Sequence, residues 1–267
     1  MSSINPINLY SLDLKRTEDI TYDQYKNEES ITNFFWAPNQ LLVNKLVEFL
    51  KFRDIKTNII DIGCGTGTAK FPVATHLLDF NEIENGDTRI KLDLDFDKFP
   101  HVNNFFDFIY CRHTLVDIQN PVNAFNEFIR ISKIGYIETP SPLVEIMKGV
   151  DNIVEGVKYT GYVHHRYIVW SNLETNTLHF LPKYPIVEYV TLNDEILKKF
   201  TYLLNNFPIY WNNYYFWDIN GLKPNIIIYR NGINLNINDD YSRLISEAIE
   251  SSFKYTEYFV KFISAKR

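Results

Sequence analysis

Along the chain the apolar positions change their period several times, and each change marks an element. Behind Asn39, a residue suited to an N-cap, apolar side chains recur at helical spacing from Leu41 to Leu50, which predicts a first helix. Asn58 to Ile62 reads as a buried strand running straight into Gly63-Cys64-Gly65-Thr66-Gly67-Thr68. Two short apolar runs, Val73 to Asp79 and Arg89 to Asp95, each end in a carboxylate. A fourth run, Phe105 to Cys111, is followed by a helical pattern over Pro121 to Ile131, and a fifth, Ile134 to Glu138, closes the series at Thr139-Pro140. Strands separated by helices or short crossovers predict an α/β class with a doubly wound, mainly parallel sheet covered on both faces.

Past residue 150 the texture changes. Tyr159 to Trp170 and Thr177 to Leu181 are rich in β-formers and flank a turn around Glu174-Thr175-Asn176, which predicts a hairpin. On that reading His164 and His165 alternate across a strand and only one faces a cleft. Leu192 to Leu204 reads as a helix, Asn225 to Tyr229 as a strand, and a last helix starts near Asp239 or Asp240. There is no internal repeat and no low-complexity linker. The expected organisation is an N-terminal segment over 1–38, a ligand-binding core over 39–150, and a hairpin and helical extension over 151–267 that completes the sheet and an acceptor site.

Composition narrows the classes. With 27 basic and 33 acidic residues the formal charge is −6, and no Lys/Arg run is present, which argues against a protein that tracks nucleic-acid phosphates. Twenty Phe and 18 Tyr exclude a disordered chain. No apolar stretch is long enough to cross a bilayer and the first 20 residues lack a signal-peptide layout, so a cytoplasmic protein is expected. The two cysteines, Cys64 and Cys111, fit neither a disulfide framework nor a zinc-ligand spacing. Asn makes up about a tenth of the chain, as AT-rich coding produces, while Gly numbers only 10, so three glycines in one heptapeptide stand out.

A strand ending in Asp61-x-Gly63-x-Gly65-x-Gly67 must turn sharply. The missing Cβ atoms let a ligand approach the backbone, and the N–H groups beyond the turn suit an anionic or polar ligand. The spacing differs from the G-x-G-x-x-G of nicotinamide and flavin sites and from the P-loop.

With this turn the sequence resembles the class I S-adenosylmethionine-dependent methyltransferases, whose first motif matches Asp61-Ile62-Gly63-Cys64-Gly65-Thr66-Gly67. The resemblance covers roughly residues 55–145 and continues through Asp79, 18 residues after Asp61, at the position of the family's ribose-binding carboxylate. Asp95, with Phe96 beside it and Asp93 as its rival in register, matches the acidic residue near the adenine. Phe106 to Leu115 resembles the family's "FDxIxxxHxL" strand and loop, and Glu138-Thr139-Pro140 sits where its fifth strand ends. The resemblance implies S-adenosyl-L-methionine as cofactor, held by Asp61, Gly63, Cys64, Gly65, Gly67, Asp79, Asp95, Phe96 and Cys111. Gly135 to Pro142 and Val163 to Trp170 further resemble a bacterial and viral subgroup associated with surface-glycan gene sets. Two departures stand out. The stretch from Gly67 to Val73 is short and contains Pro72, so the family's first helix is abbreviated or replaced by a loop. Where many relatives carry His after Leu-Glu, this chain has Leu115-Val116-Asp117.

Methyl transfer from a sulfonium is an in-line displacement, so the protein must align donor and acceptor and exclude water. A hydroxyl acceptor also needs a proton acceptor near the carboxyl ends of the strands. His113 is placed there by its motif, as a base, as a contact to the cofactor's methionine end, or as a hydrogen-bonded loop histidine. His165, with His164 and Arg166, is a candidate for acceptor binding or a solvent-facing strand residue. Glu138 either orients a hydroxyl, ligates a metal, or is a capped strand end; no residue set is assigned to a metal. Cys111 reads as a small buried residue beside the cofactor. Phe34, Phe35 and Trp36 read as a lid or as core. The aromatic cluster Tyr210 to Trp217 reads as a stacking platform for a sugar or as a strand with a buried face. The expected activity is methyl transfer to a small-molecule or sugar hydroxyl. The alternatives are a protein or nucleic-acid target, and a non-catalytic partner-binding module. The acceptor atom and the oligomeric state stay open.

Overall fold

The computed structural model describes residues 38–65, 70–80, 90–151, 159–184, 186–189, 192, 194–218, 221–229 and 237–265. Gly67, Phe34, Phe35 and Trp36 lie outside the described residues. In chain order the regular elements are α1 (Gln40–Phe52), β1 (Ile59–Ile62), β2 (His76–Asp79), β3 (Ile90–Lys91), β4 (Phe108–Arg112), α2 (Pro121–Ile131), β5 (Ile134–Pro140), α3 (Pro142–Ile146), β6 (Tyr167–Asn172), β7 (Thr177–Pro182), α4 (Asp194–Asn206), β8 (Asn212–Asp218), β9 (Asn225–Ile228) and α5 (Ile237–Ser264).

The main sheet has the order β3-β2-β1-β4-β5-β8. Its first five strands are parallel and β8 runs antiparallel beside β5. Chain direction across the sheet reverses between β1 and β4. Open α/β sheets bind ligands at such a switch point, beyond the carboxyl ends of the strands.

Local chemistry explains the elements. Asn39 caps α1 by accepting from the Leu42 N–H, and the helix buries Leu42, Val43, Leu46, Phe49 and Leu50. Asn120 caps α2 through the Asn123 N–H, and Pro121 occupies the first turn, where its missing N–H costs nothing. Strands β1 and β5 are buried along their whole length, and β4 over all but its last residue, as expected for parallel strands covered on both faces. On β8, Tyr214 and Phe216 meet Phe259 of α5, whereas Tyr215 and Trp217 meet Phe125 of α2. Alternation along the strand thus feeds both layers of the core. Gly135 faces Trp217 in register, and a Cβ there would lie 2.1 Å from the indole.

Two sequence expectations are corrected, and one open choice is decided. The hairpin strands β6 and β7 do not extend the main sheet: they pair with β9 in a separate three-stranded sheet, and β8 is the strand that completes the larger one. The second sheet is tied to the first by buried polar bonds, from Ser171 N–H to Asn213 Oδ1 at 2.9 Å and from the Ser171 hydroxyl to the Tyr214 carbonyl at 2.6 Å. His164 and His165 precede β6 in a turn closed by the His165 N–H on the Tyr162 carbonyl, so they do not alternate across a strand. Of the two readings of the aromatic cluster the strand is the one realised: Tyr214, Tyr215, Phe216 and Trp217 of β8 are all buried, so this part of it is core on both faces. Hydrophobic burial of about 1.5–3 kcal/mol per large side chain decides its place.

The β1–β2 crossover bears out the expected departure. Among the described residues it contains no helix, only a turn in which the Ala74 N–H reaches the Phe71 carbonyl. Thr75 stitches that turn to β1, exchanging bonds with the N–H and carbonyl of Ile59.

Candidate functional site

A cleft of about 500 Å³ opens at the switch point, within the size range of small-molecule sites. Gly63 and Thr114 line it from the ends of β1 and β4; Leu78, Asp79 and Phe80 from β2; Leu92 to Phe96 from the loop after β3; and His113, Asp117, Ile118 and Gln119 from the loop after β4.

The glycine turn is shaped by its neighbours. Gly63 has φ +74°, and a Cβ on it would lie 1.8 Å from Thr114 Oγ1, so no other residue fits. Thr114 holds its position through the carbonyls of Ile62 and Arg112, at 3.3 and 3.1 Å. Beyond it the N–H groups of Gly63 and Cys64 reach the Leu78 carbonyl, and the Gly65 N–H donates to Asp79 Oδ2 at 2.8 Å. A Cβ on Gly65, at φ +56°, would meet nothing within 4 Å among the described residues. Among the described residues nothing covers the backbone at this point, and Asp79 both braces the turn and lines the cleft.

Asp61 is buried and does not line the cleft. Its Oδ2 accepts from the Phe71 N–H at 2.8 Å, fastening the crossover, and burial pushes its carboxyl up to about 6 against the pull of that bond and of Arg112. Cys64 and Cys111 are also buried outside the cleft lining, and burial raises the Cys111 thiol far beyond reach of a thiolate. Asp95 lines the cleft while its Oδ1 accepts from the N–H groups of Gln119 and Asn120, each at 2.7 Å, next to the N-terminus of α2. It joins the loop after β3 to the loop after β4. Phe80 and Phe96 are 63% and 76% exposed at the rim, a position for two flat side chains that suits a planar ligand.

His113 follows β4 with φ +51°, a left-handed backbone uncommon for a residue with a side chain. Its Nε2 lies 3.0 Å from Asn212 Oδ1. Asn212 in turn donates from Nδ2 to Glu138 at 2.6 Å, and a carboxylate only accepts, so Oδ1 faces the ring and Nε2 carries the proton. Burial, then the nearby charge of Arg112, holds the imidazole well below its ordinary basicity, so His113 is neutral. Glu138 lies apart from the cleft lining. It pairs with Arg112 at 3.0 Å, across a register in which the two are opposite, and accepts from the Tyr136 hydroxyl at 2.5 Å. This Arg112-Glu138-Asn212 chain fixes the ring of His113.

His165 sits on the other side of His113, with ring centroids 6.4 Å apart. Its side chain is buried, and Nδ1 lies 2.6 Å from Glu145, which is also bound by Lys183 at 2.6 Å. Glu145 is held below the usual carboxylate range although burial alone pushes it up, because His165 and Lys183 outweigh the desolvation. His164 and Asp117 complete this corner, and burial pushes the Asp117 carboxyl up to about 6.

The structure therefore brings together at one cleft Gly63, Asp79, Asp95, Phe96 and His113, and leaves Asp61, Cys64, Cys111 and Glu138 out of its lining. Sequence reasoning missed Asp117, Glu145, Lys183 and Asn212. Only Asp117 carried a signal, as the residue standing where the resemblance expects a histidine; the others are brought in from α3, β8 and the end of β7.

No family model and no curated protein matches the chain. Among solved structures it is similar to a SAM-dependent methyltransferase from Aquifex aeolicus, at 18% identity and TM-score 0.30, covering 42% of this chain and 72% of that one. An S-adenosylmethionine-dependent methyltransferase from Mesorhizobium loti is similar at 18% identity and TM-score 0.29, covering 46% of this chain and 78% of that one. The [4+2]-cyclase SpnF is similar at 17% identity and TM-score 0.32, covering 44% of this chain and half, 50%, of its own length. The function therefore rests on the chemistry of the site itself.

Proposed function

We propose that the protein is an S-adenosylmethionine-dependent methyltransferase acting on an oxygen of a small-molecule or glycan acceptor. The observation that carries this reading is the glycine turn braced by Asp79 at the mouth of the switch-point cleft. Its open backbone and its carboxylate fit a nucleoside whose ribose offers two hydroxyl donors, and Phe80 and Phe96 fit its base. When bound, the cofactor supplies an electrophilic methyl group on a positively charged sulfur.

The remaining work falls to this chain. Asp79 orients the nucleoside, and the wall from Leu92 to Phe96, closed by Asp95 against the Gln119 and Asn120 N–H groups, limits water. His113, neutral and weakly basic, would orient the acceptor hydroxyl, whose proton would pass to solvent when the oxygen is alkylated.

Calorimetric titration with S-adenosylmethionine and S-adenosylhomocysteine, with NAD as control, tests the reading. Micromolar binding of both sulfur nucleotides is expected, weakened at least tenfold in Asp79→Ala and less in Asp79→Asn, which can still brace the Gly65 N–H. Binding of NAD alone, or of none of the three, refutes it.

A further inference from the structure

We propose that Asp117, His164 and His165 form a binding site for one divalent transition-metal ion at the rim of the cleft. One ligand atom from each side chain lies within 4.8 Å of the other two, and Asp117 Oδ1 is 3.9 Å from the Nε2 atoms of both histidines. These separations are too long for hydrogen bonds. Bonds of about 2.1 Å place neighbouring ligand atoms roughly 3.0–3.4 Å apart, so each side chain needs to move by less than about 1 Å to close on an ion.

The surroundings are built for it. His165 is fully buried and its Nδ1 lies 2.6 Å from Glu145 Oε1. Glu145, itself buried and held by Lys183, accepts but cannot donate, so the proton sits on Nδ1 and Nε2 is the atom turned toward Asp117. A carboxylate behind a histidine is the usual outer support of a metal-binding imidazole, fixing its tautomer and orientation.

Backbone contacts hold the two ligand-bearing segments together without any ion. The Arg166 N–H and Nε donate to the carbonyls of Val116 and Asp117 at 2.8 and 2.7 Å, and the Tyr167 hydroxyl donates to the Gln119 carbonyl at 2.9 Å. On the other flank Gly161, at φ +60°, has its backbone so near α3 that a Cβ would lie 2.5 Å from the Glu145 carbonyl; this contact seats the Tyr162–His165 turn over Glu145. Asp117 Oδ1 is meanwhile a buried atom without a hydrogen-bond partner among the described residues, which is costly unless something cationic compensates it.

Two imidazoles and one carboxylate select Zn²⁺, Co²⁺, Fe²⁺ or Mn²⁺ over the oxygen-seeking Ca²⁺ and Mg²⁺. Three protein ligands leave coordination positions open, as in sites that bind substrate. Because Asp117 also lines the cleft, those positions face the acceptor's oxygen, a role that rests on the methyl-transfer reading; the metal site itself does not.

The test is titration of chelator-treated protein with Co²⁺, followed by its visible d–d absorbance and by competition with Zn²⁺, on wild type, His164→Ala and Asp117→Asn. His164 is half exposed, so that variant retains the fold, and its urea midpoint checks this. One equivalent of Co²⁺ per chain is expected, displaced by Zn²⁺ and bound at least tenfold more weakly in both variants. Absence of uptake, uptake without a fixed stoichiometry, or wild-type affinity in either variant overturns the proposal. S-adenosylhomocysteine is titrated separately: metal binding without nucleotide binding sinks the methyl-transfer reading alone, and the converse sinks the metal site alone.

Discussion

Replacing Asp61 by Asn tests how the core tolerates a carboxylate at the foot of the glycine turn. Asp61 is 2% exposed, and burial raises its carboxyl from the ordinary 3.8 to about 6, with the Phe71 N–H and Arg112 only partly offsetting the loss of water. At about 1.36 kcal/mol per pH unit, that gap corresponds to about 3 kcal/mol. The folded-state value is the higher one, so the folded protein binds the proton more tightly than the unfolded chain. Asp61's favourable contribution is complete below pH 3.8 and is lost as the pH rises through about 6. An asparagine keeps an oxygen for the Phe71 N–H and does not titrate. The stability of Asp61→Asn relative to wild type should therefore rise by about 2.4 kcal/mol between pH 4 and pH 7, whatever its constant offset. Urea midpoints of both proteins at half-unit intervals over this range measure the difference. A difference that stays flat within about 0.5 kcal/mol refutes the argument and means that Asp61 is solvated or fully compensated.

Two further outcomes follow from packing. Gly63→Ala combines a positive φ with a Cβ 1.8 Å from Thr114 Oγ1, so a loss of about 2–4 kcal/mol is expected, recovered in part but not fully by adding Thr114→Ala; a full recovery would show that the backbone angle carries no strain. Lys183→Met removes the cation from a Glu145 carboxylate that is completely buried, leaving it only the hydrogen bond from His165 Nδ1, and should lower the unfolding free energy by about 3–5 kcal/mol in urea titrations; a loss under 1 kcal/mol contradicts the buried pairing.

How much of this was legible beforehand differs between fold and site. The helix over Pro121 to Ile131, the Asn39 cap, the run of parallel strands and the broken crossover after Gly67 all follow from local signals: period, capping residues, and the conformational demands of Gly and Pro. The cleft residues Gly63, Asp79, Asp95, Phe96 and His113 were also legible, because each ends or follows a strand of a parallel sheet and strand ends on one side of such a sheet share one crevice.

What the sequence could not determine is which long-range partner each polar or aromatic group would take. Tyr210 to Trp217 carries the same pattern whether its aromatics face solvent or core, and only pairing of β8 with β5 between α2 and α5 buries them. Glu138 reads alike as a hydroxyl-orienting acid, a metal ligand or a capped strand end, and only Arg112, Tyr136 and Asn212 supply the cap. The Asp117-His164-His165 corner exists because a turn at Gly161 folds two histidines onto Glu145, opposite a loop nearly 50 residues earlier in the chain. Periodicity and capping act over a few residues and are written in the sequence; the charge state and partner of a buried group depend on desolvation and on contacts that exist only once distant segments have packed.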